Sequence, residues 1–315
     1  MMQFYKKRDF GALVSDTLNF FKLYGRNYFK NYLTLNGGVI ILLVVVIVIG
    51  YGDFFMQAFG SNTSGEAYLF QDYFQQNQAS LIGASIVAIV LILLLSLVSY
   101  SFPVLYMKRL AETGSTKITI NEMIEDMKKN LKKFFIFFLG STFILVPIFI
   151  VAFIVSSFLM IILIGFLLLM LCIPVMVNMM NFTLFNMYNT EDGFFGSIGK
   201  AFKIQFSKSF WKYVGSTFIM YLLINVVTTI FAFIPMMVLY GYMLSSINTS
   251  PDGIGQESAT FMILMAVVYS VSLACSIILN NLIYVNSGFM YYDSRVDLHR
   301  EITFSEIDSI GSREE

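Results

Sequence analysis

From Phe134 to Thr190 the chain carries no charged side chain. A helix rises 1.5 Å per residue, and the hydrocarbon core of a bilayer takes about 20 mostly apolar residues. The stretch is too long for one crossing, so it must fold back once. Its residues place that reversal around Val155-Ser156-Ser157 or near Gly165. The rest of the chain agrees: 57% of it is hydrophobic, 13% is charged, and the mean hydropathy is +0.74. A soluble domain carries about a quarter charged residues. A soluble globular enzyme, a disordered chain and a nucleic-acid binder are therefore excluded.

Two crossings lie within Phe134–Thr190, and four more apolar runs flank them: Leu33–Tyr51, Leu81–Met107, Tyr213–Tyr240 and Phe261–Tyr284. Transmembrane strands would be about ten residues long with alternating polarity, and Ile40–Ile49 does not alternate. The predicted fold is an all-α integral membrane protein with six transmembrane helices. Near the start, Lys6-Lys7-Arg8 is followed by a polar amphipathic stretch instead of the apolar core of a signal peptide. The first span is expected to stay in the mature protein.

The basic residues set the expected orientation. Lys6, Lys7, Arg8, Lys22, Arg26 and Lys30 precede the first span. Lys108, Arg109, Lys117, Lys128, Lys129, Lys132 and Lys133 lie between the second and third. Lys200, Lys203, Lys208 and Lys212 lie between the fourth and fifth, and Arg295, Arg300 and Arg313 follow the sixth. The alternate loops hold only acids: Asp53, Glu66 and Asp72 in one, Asp252 and Glu257 in the other. The positive-inside rule then predicts an inner (plasma) membrane protein with both termini cytoplasmic.

Each pair of spans is preceded by a basic amphipathic segment. Asp9–Tyr28 places Phe10, Leu13, Val14, Leu18 and Phe21 on one face. Thr119 and Glu122 form a capping box ahead of Met123, Ile124, Met127 and Leu131. Ile198, Ala201, Phe202, Gln205 and Phe206 repeat the spacing. Such helices are expected to lie in the headgroup plane on the cytoplasmic side. The following segments echo one another as well, Gly140-Ser141-Thr142-Phe143-Ile144 matching Gly215-Ser216-Thr217-Phe218-Ile219. The reading is a single six-span domain over 1–292, built from three hairpin repeats at about 9–107, 119–190 and 194–292. A polar cytoplasmic tail follows at 293–315.

The stretch from Pro174 to Leu222 contains Glu191, Ile198-Gly199-Lys200-Ala201-Phe202, Ser207 and Phe210-Trp211-Lys212. It resembles a widespread bacterial group: the six-helix membrane domain found beside some glycerophosphodiester phosphodiesterases, and related stand-alone membrane proteins. The resemblance implies the six-helix topology. The phosphodiesterase chemistry of that group resides in a separate soluble domain, so no activity is implied here.

No catalytic motif of the HExxH, GxSxG, P-loop or GxGxxG type is present. The acid pairs Glu125-Asp126 and Glu191-Asp192 lie near lysines and read as solvated salt-bridging faces. Cys172 and Cys275 are isolated within apolar runs, and His299 has no neighbour of its kind, so no metal, cofactor or catalytic residue is expected. The cores of the spans hold amides instead of ionisable groups: Asn178, Asn181, Asn225 and Asn280-Asn281. These read as helix-to-helix hydrogen-bonding groups, with the lining of a polar cavity by Asn178, Asn181 and Asn280 as the alternative. Pro103, Pro147, Pro174 and Pro235 are each expected to kink a span.

The function read from this pattern is non-catalytic: organising lipid or a membrane partner complex. Lys128, Lys129, Lys132, Lys133, Lys200, Lys203, Lys208 and Lys212 would attract anionic headgroups at about 1 kcal/mol each. The alternative is a transporter or channel for a small or lipid-like solute. The expected partners are anionic membrane lipids and a membrane protein.

Overall fold

The computed structural model describes residues 2–60, 75–247 and 270–298, and its regular structure is helical throughout, with no strand among the described residues. The helices are α1 (Phe10–Gly60), α2 (Gln78–Thr113), α3 (Ile120–Gly140), α4 (Val146–Phe158), α5 (Ile164–Asn189), α6 (Phe194–Gln205), α7 (Phe210–Ile247) and α8 (Asn281–Ser294). Six helical stretches are long and apolar enough to cross a membrane, the last of them running from Ser270 through α8 to Ser294. In their most apolar windows only 11% to 44% of the residues are buried inside the protein. Side chains such as Phe143, Ile161 and Leu163 are more than two-thirds exposed, which water penalises and lipid does not. This is a multi-pass integral membrane protein.

Local sequence explains several boundaries. Thr119 caps α3, its hydroxyl accepting from the Glu122 amide while the Glu122 carboxylate accepts from the Thr119 amide, as the capping box requires. A π-helical turn, Ser141–Leu145, joins α3 to α4 just before Pro147, whose ring has no amide to donate and clashes with the preceding turn of a regular helix. The reversal between α4 and α5 is a 3-10 turn at Leu159–Ile162 ending in Leu163, which has φ 63°. It falls between the two positions expected from the sequence. Ser156 and Ser157 stay helical because their hydroxyls bond back to Ala152 and Phe153 carbonyls, each at 2.8 Å. Gly165 serves close packing of the two arms, since a Cβ there would overlap the Ser156 backbone.

Of the three segments predicted to lie ahead of the spans, only α6 is a separate helix. α1 is continuous for 51 residues, about 77 Å at the standard rise. α3 likewise runs on through the π turn and α4 to Ile162. Nothing between Tyr28 and Leu33, and no cap between Lys133 and Gly140, stops the helix from propagating. α8 continues to Ser294, so the first residues assigned to the polar tail are helical. His299 and the rest of that tail, the loop acids Glu66, Asp72, Asp252 and Glu257, and residues 261–269 of the sixth predicted span lie outside the described residues.

The contacts divide the chain into two compact units: Met1–Asn31 with Tyr100–Leu222 and Asn281–Glu315, and Tyr32–Ser99 with Leu223–Asn280. The first unit has a three-helix core. Every residue from Ser101 to Met107, from Asn181 to Tyr188 and from Val285 to Asp293 is buried. A helix with one apolar face would alternate, so these ends of α2, α5 and α8 are enclosed on all sides. They meet at Gly288, where a Cβ would lie 2.5 Å from Met107 Sδ and 2.7 Å from Phe185 Cζ. Ser101 and Tyr188 share a 2.7 Å hydroxyl bond, and Phe185 stacks on Tyr291 at 5.5 Å.

Three contacts surround this core. The Phe194 ring, at the start of α6, fills the space a Cβ would take at Gly140, and Phe10, at the start of α1, lies 3.1 Å from the equivalent position of Gly215. Ile118, just ahead of α3, offers its carbonyl to the Asn27 and Asn31 side chains on α1 at 3.1 and 2.8 Å.

The second unit is more uniformly apolar. Ile40, Leu43, Ala88 and Leu95 form its core, with Val39, Leu91 and Leu273 packed against it. Ala84, one turn from Ala88, abuts Gly50 on α1, where a Cβ would lie 2.6 Å from the Ala84 methyl. Tyr32 and Asn36 both bond the Ser99 hydroxyl, at 3.0 and 3.2 Å.

Candidate functional site

The charges of the first unit form three local networks. The first is built on Arg8, in the short arm ahead of α1, whose side chain is completely buried. Its guanidinium donates to Asp16 at 2.9 Å and to the carbonyls of Phe4, Lys6 and Gln3, and it lies 4.7 Å above the Phe289 ring. The Arg8 amide donates to Asp293 Oδ1 at 2.6 Å. Asp293 Oδ2 accepts from Lys212 Nζ at 2.8 Å and from the Tyr213 hydroxyl at 2.6 Å. Lys212 also donates to the Arg8 carbonyl. Two cations face two carboxylates, the condition under which buried charge is tolerated.

The second network caps α5 and opens α6. Asn186 Nδ2 donates to Thr190, Asp192 and Ser197, at 3.2, 2.7 and 3.1 Å, and its Oδ1 accepts from Arg295. Asp192 also binds the Lys200 ammonium. That ammonium, helped by the Asn186 and Thr190 donors, holds the Asp192 carboxyl well below the usual carboxylate range. In the third network Arg109 takes Asp126 and Glu122 at 2.8 and 2.9 Å. Glu122 is also the acid of the capping box, so one carboxylate fixes both the start of α3 and its approach to α2.

The eight lysines singled out from the sequence divide into two classes. Lys129 pairs with Glu125 at 2.8 Å, Lys133 donates to the Thr190 carbonyl at 3.0 Å, Lys200 holds Asp192, and Lys212 holds Asp293. Lys128, Lys132, Lys203 and Lys208 are exposed and take part in no ion pair among the described residues. In sequence Lys203 and Lys208 are interleaved with exposed aromatic residues, Phe202, Phe206 and Trp211.

Asn178 and Asn181 lie in the interior of the first unit, completely or nearly completely buried. Thr217 donates to Asn178 at 2.6 Å, and Asn181 donates to Ser287 at 3.2 Å. Asn286 joins Thr17 and Ser216 in the same manner, at 3.0 and 2.9 Å. Asn280 belongs to the second unit, where its amide continues the helix by bonding the Ser276 carbonyl. Two surface clefts of about 400 and 310 Å³ open in the first unit. Met2, Lys6, Asp16 and Lys22 help to line one, and Lys108, Arg109, Glu112 and Asp126 the other.

Cys172 and Cys275 are free thiols, and no group of three or more His, Cys, Asp or Glu side chains is placed to hold a metal among the described residues. The residues sequence reasoning passed over are Arg8, as anything more than a topological charge, and Asp293. The one local signal for Asp293 is an acid directly after the aromatic run Phe289–Tyr292, at the end of a long apolar stretch. No protein-family model, curated protein or solved structure matches the chain.

Proposed function

We propose that the protein is a non-catalytic membrane organiser that gathers anionic lipid, or a membrane partner, against a basic face on the cytoplasmic side of an inner membrane. The observation that carries this reading is two sets of exposed lysines in no ion pair among the described residues, Lys128 with Lys132 and Lys203 with Lys208, the second interleaved in sequence with exposed aromatic residues. Lysines with no internal carboxylate remain available to phosphate groups, and each would contribute about 1 kcal/mol at an anionic surface.

The repeat reading gives this face its geometry. Under the threefold-repeat reading, the segment just ahead of the second repeat touches the first repeat at Ile118 and Asn31, the third touches the second at Phe194 and Gly140, and the first touches the third at Phe10 and Gly215, all within the first compact unit. Such contacts would link the basic segments of the three repeats to one another within the first compact unit. Membership of the six-helix group resembled by Pro174–Leu222 belongs to the same proposal. The transport alternative draws less support, because Asn178 and Asn181 bond hydroxyls on neighbouring helices.

The test is Lys128→Gln with Lys132→Gln in the full chain, reconstituted into vesicles of phosphatidylcholine with phosphatidylglycerol. Removing two charges should lower recruitment of phosphatidylglycerol and of any co-purifying protein. If both stay unchanged while the variant keeps its fold, the reading is wrong.

A further inference from the structure

Between Asp192 and Asp252 the chain has no acidic residue. Within that interval the aromatic rings form a row running from α6 into α7. Phe202 meets Phe206 at 4.5 Å, Phe206 stacks on Phe210 at 5.6 Å, and Phe210 meets Trp211 edge-on at 5.1 Å. Three of its four rings are open, Phe202, Phe206 and Trp211 being 55%, 51% and 70% exposed, while Phe210 is half-buried.

Its depth follows from the span it begins. Lys212 is the last charged residue before Asp252, and α7 runs apolar from there toward Ile247. Charged side chains stay at the ends of a span, so Lys208 and Lys212 hold the first turn of α7 at one boundary of the bilayer. Trp211 is therefore held where amphipathic rings are most at home. Two cations flank the row. Lys200 is committed to Asp192 and Lys212 to Asp293, whereas Lys203 and Lys208 are exposed and in no ion pair among the described residues.

We propose that the Phe202–Trp211 row is a lipid-docking surface, its rings seated at the headgroup–acyl boundary and Lys203 and Lys208 holding the phosphate of an anionic lipid. Its occupant is bilayer lipid because a cationic stretch with no acid between Asp192 and Asp252 complements phosphate, and because the row continues directly into a membrane span. The proposal deepens the organiser reading and rests on it only for its biological use. Each lysine should enrich anionic lipid locally by about fivefold, the factor equivalent to 1 kcal/mol at such a surface.

Trp211 is the only tryptophan in the chain, so its fluorescence reports this surface alone. The full chain is reconstituted in phosphatidylcholine vesicles containing a minor fraction of phosphatidylglycerol brominated near the headgroup. Quenching of Trp211 should exceed that from the same fraction of brominated phosphatidylcholine. Lys203→Gln with Lys208→Gln should abolish the excess, whereas Lys128→Gln with Lys132→Gln should retain it. Equal quenching by the two brominated lipids, or the red-shifted emission of a water-exposed indole, overturns the proposal. If phosphatidylglycerol is still recruited through Lys128 and Lys132 in that event, the organiser reading survives; if it is not, both fall.

Discussion

Asp293 is the acceptor for three donors from two other segments: the Arg8 amide, the Lys212 ammonium and the Tyr213 hydroxyl, all within 2.8 Å. Asp293 is 2% exposed and Tyr213 is 1% exposed, so neither can turn to water, while the Lys212 side chain keeps 22% exposure. Asp293→Ala removes the anion and leaves its donors behind. Adding three charge-assisted bonds at about 1.5–3 kcal/mol each would overstate the loss, because Lys212 keeps the Arg8 carbonyl at 2.7 Å. The cost of breaking one side of a buried ion pair, about 3–5 kcal/mol, is the better guide. Lys212→Met, which leaves the carboxylate its other two donors, should cost less. The double variant should lose less than the sum of the singles by at least about 1 kcal/mol, since no ammonium is stranded in it. The assay is unfolding of the full chain in mild detergent by added sodium dodecyl sulfate, followed by circular dichroism. A loss below about 1 kcal/mol for Asp293→Ala, or simple additivity in the cycle, would refute the argument that this network is a buried, coupled unit.

Gly288→Ala forces a methyl into space already held by Met107 and Phe185, both fully buried. Overpacking costs about 1–3 kcal/mol, and better helix propensity returns up to about 1. A net loss of about 1–2 kcal/mol is expected in the same titration, reduced when Met107→Ala is added; a stability gain in the single variant contradicts the three-helix contact. Asp192→Asn tests the second network through pH. The Asp192 carboxyl titrates below its ordinary 3.8 in the folded protein, so its contribution is complete above that value and is lost as the pH falls beneath it. The thermal stability of the native chain and of Asp192→Asn should differ at neutral pH and converge in acid. A gap that stays constant below about pH 4 would show that the carboxylate charge is not what matters.

The membrane fold was legible because apolar content is a property of continuous segments. The charge-free stretch after Lys133 required a hairpin, and the structure contains one. The capping box at Thr119 and Glu122 was legible for the same reason, being decided within four residues. The exact reversal was not, since Ser156 and Gly165, which suggested a turn, instead bond back to the helix and admit the opposite arm. Separate helices ahead of the first two pairs of spans could not be told from extensions of the spans themselves, because amphipathicity describes a face and says nothing of where a helix stops. Least legible was the fate of individual charges. Arg8, Lys200 and Lys212 had the same standing as any basic residue on their side of the spans, yet each is committed to an internal carboxylate. Nothing within a turn of Arg8 announces Asp293.

Arg8 and Asp293 are 285 positions apart in the chain. At about 5–20 residues per second of synthesis, the arm around Arg8 exists for tens of seconds before Asp293, the acceptor of its backbone amide, is made. During that interval the Arg8 guanidinium already has Asp16 within reach, but its backbone amide has no Asp293 to donate to, so the arm is fixed in place only after α8 has been made. A chain cut short of Asp293 therefore lacks the acceptor that ties the arm around Arg8 to α8, so the latch closes from both ends of the described residues or not at all.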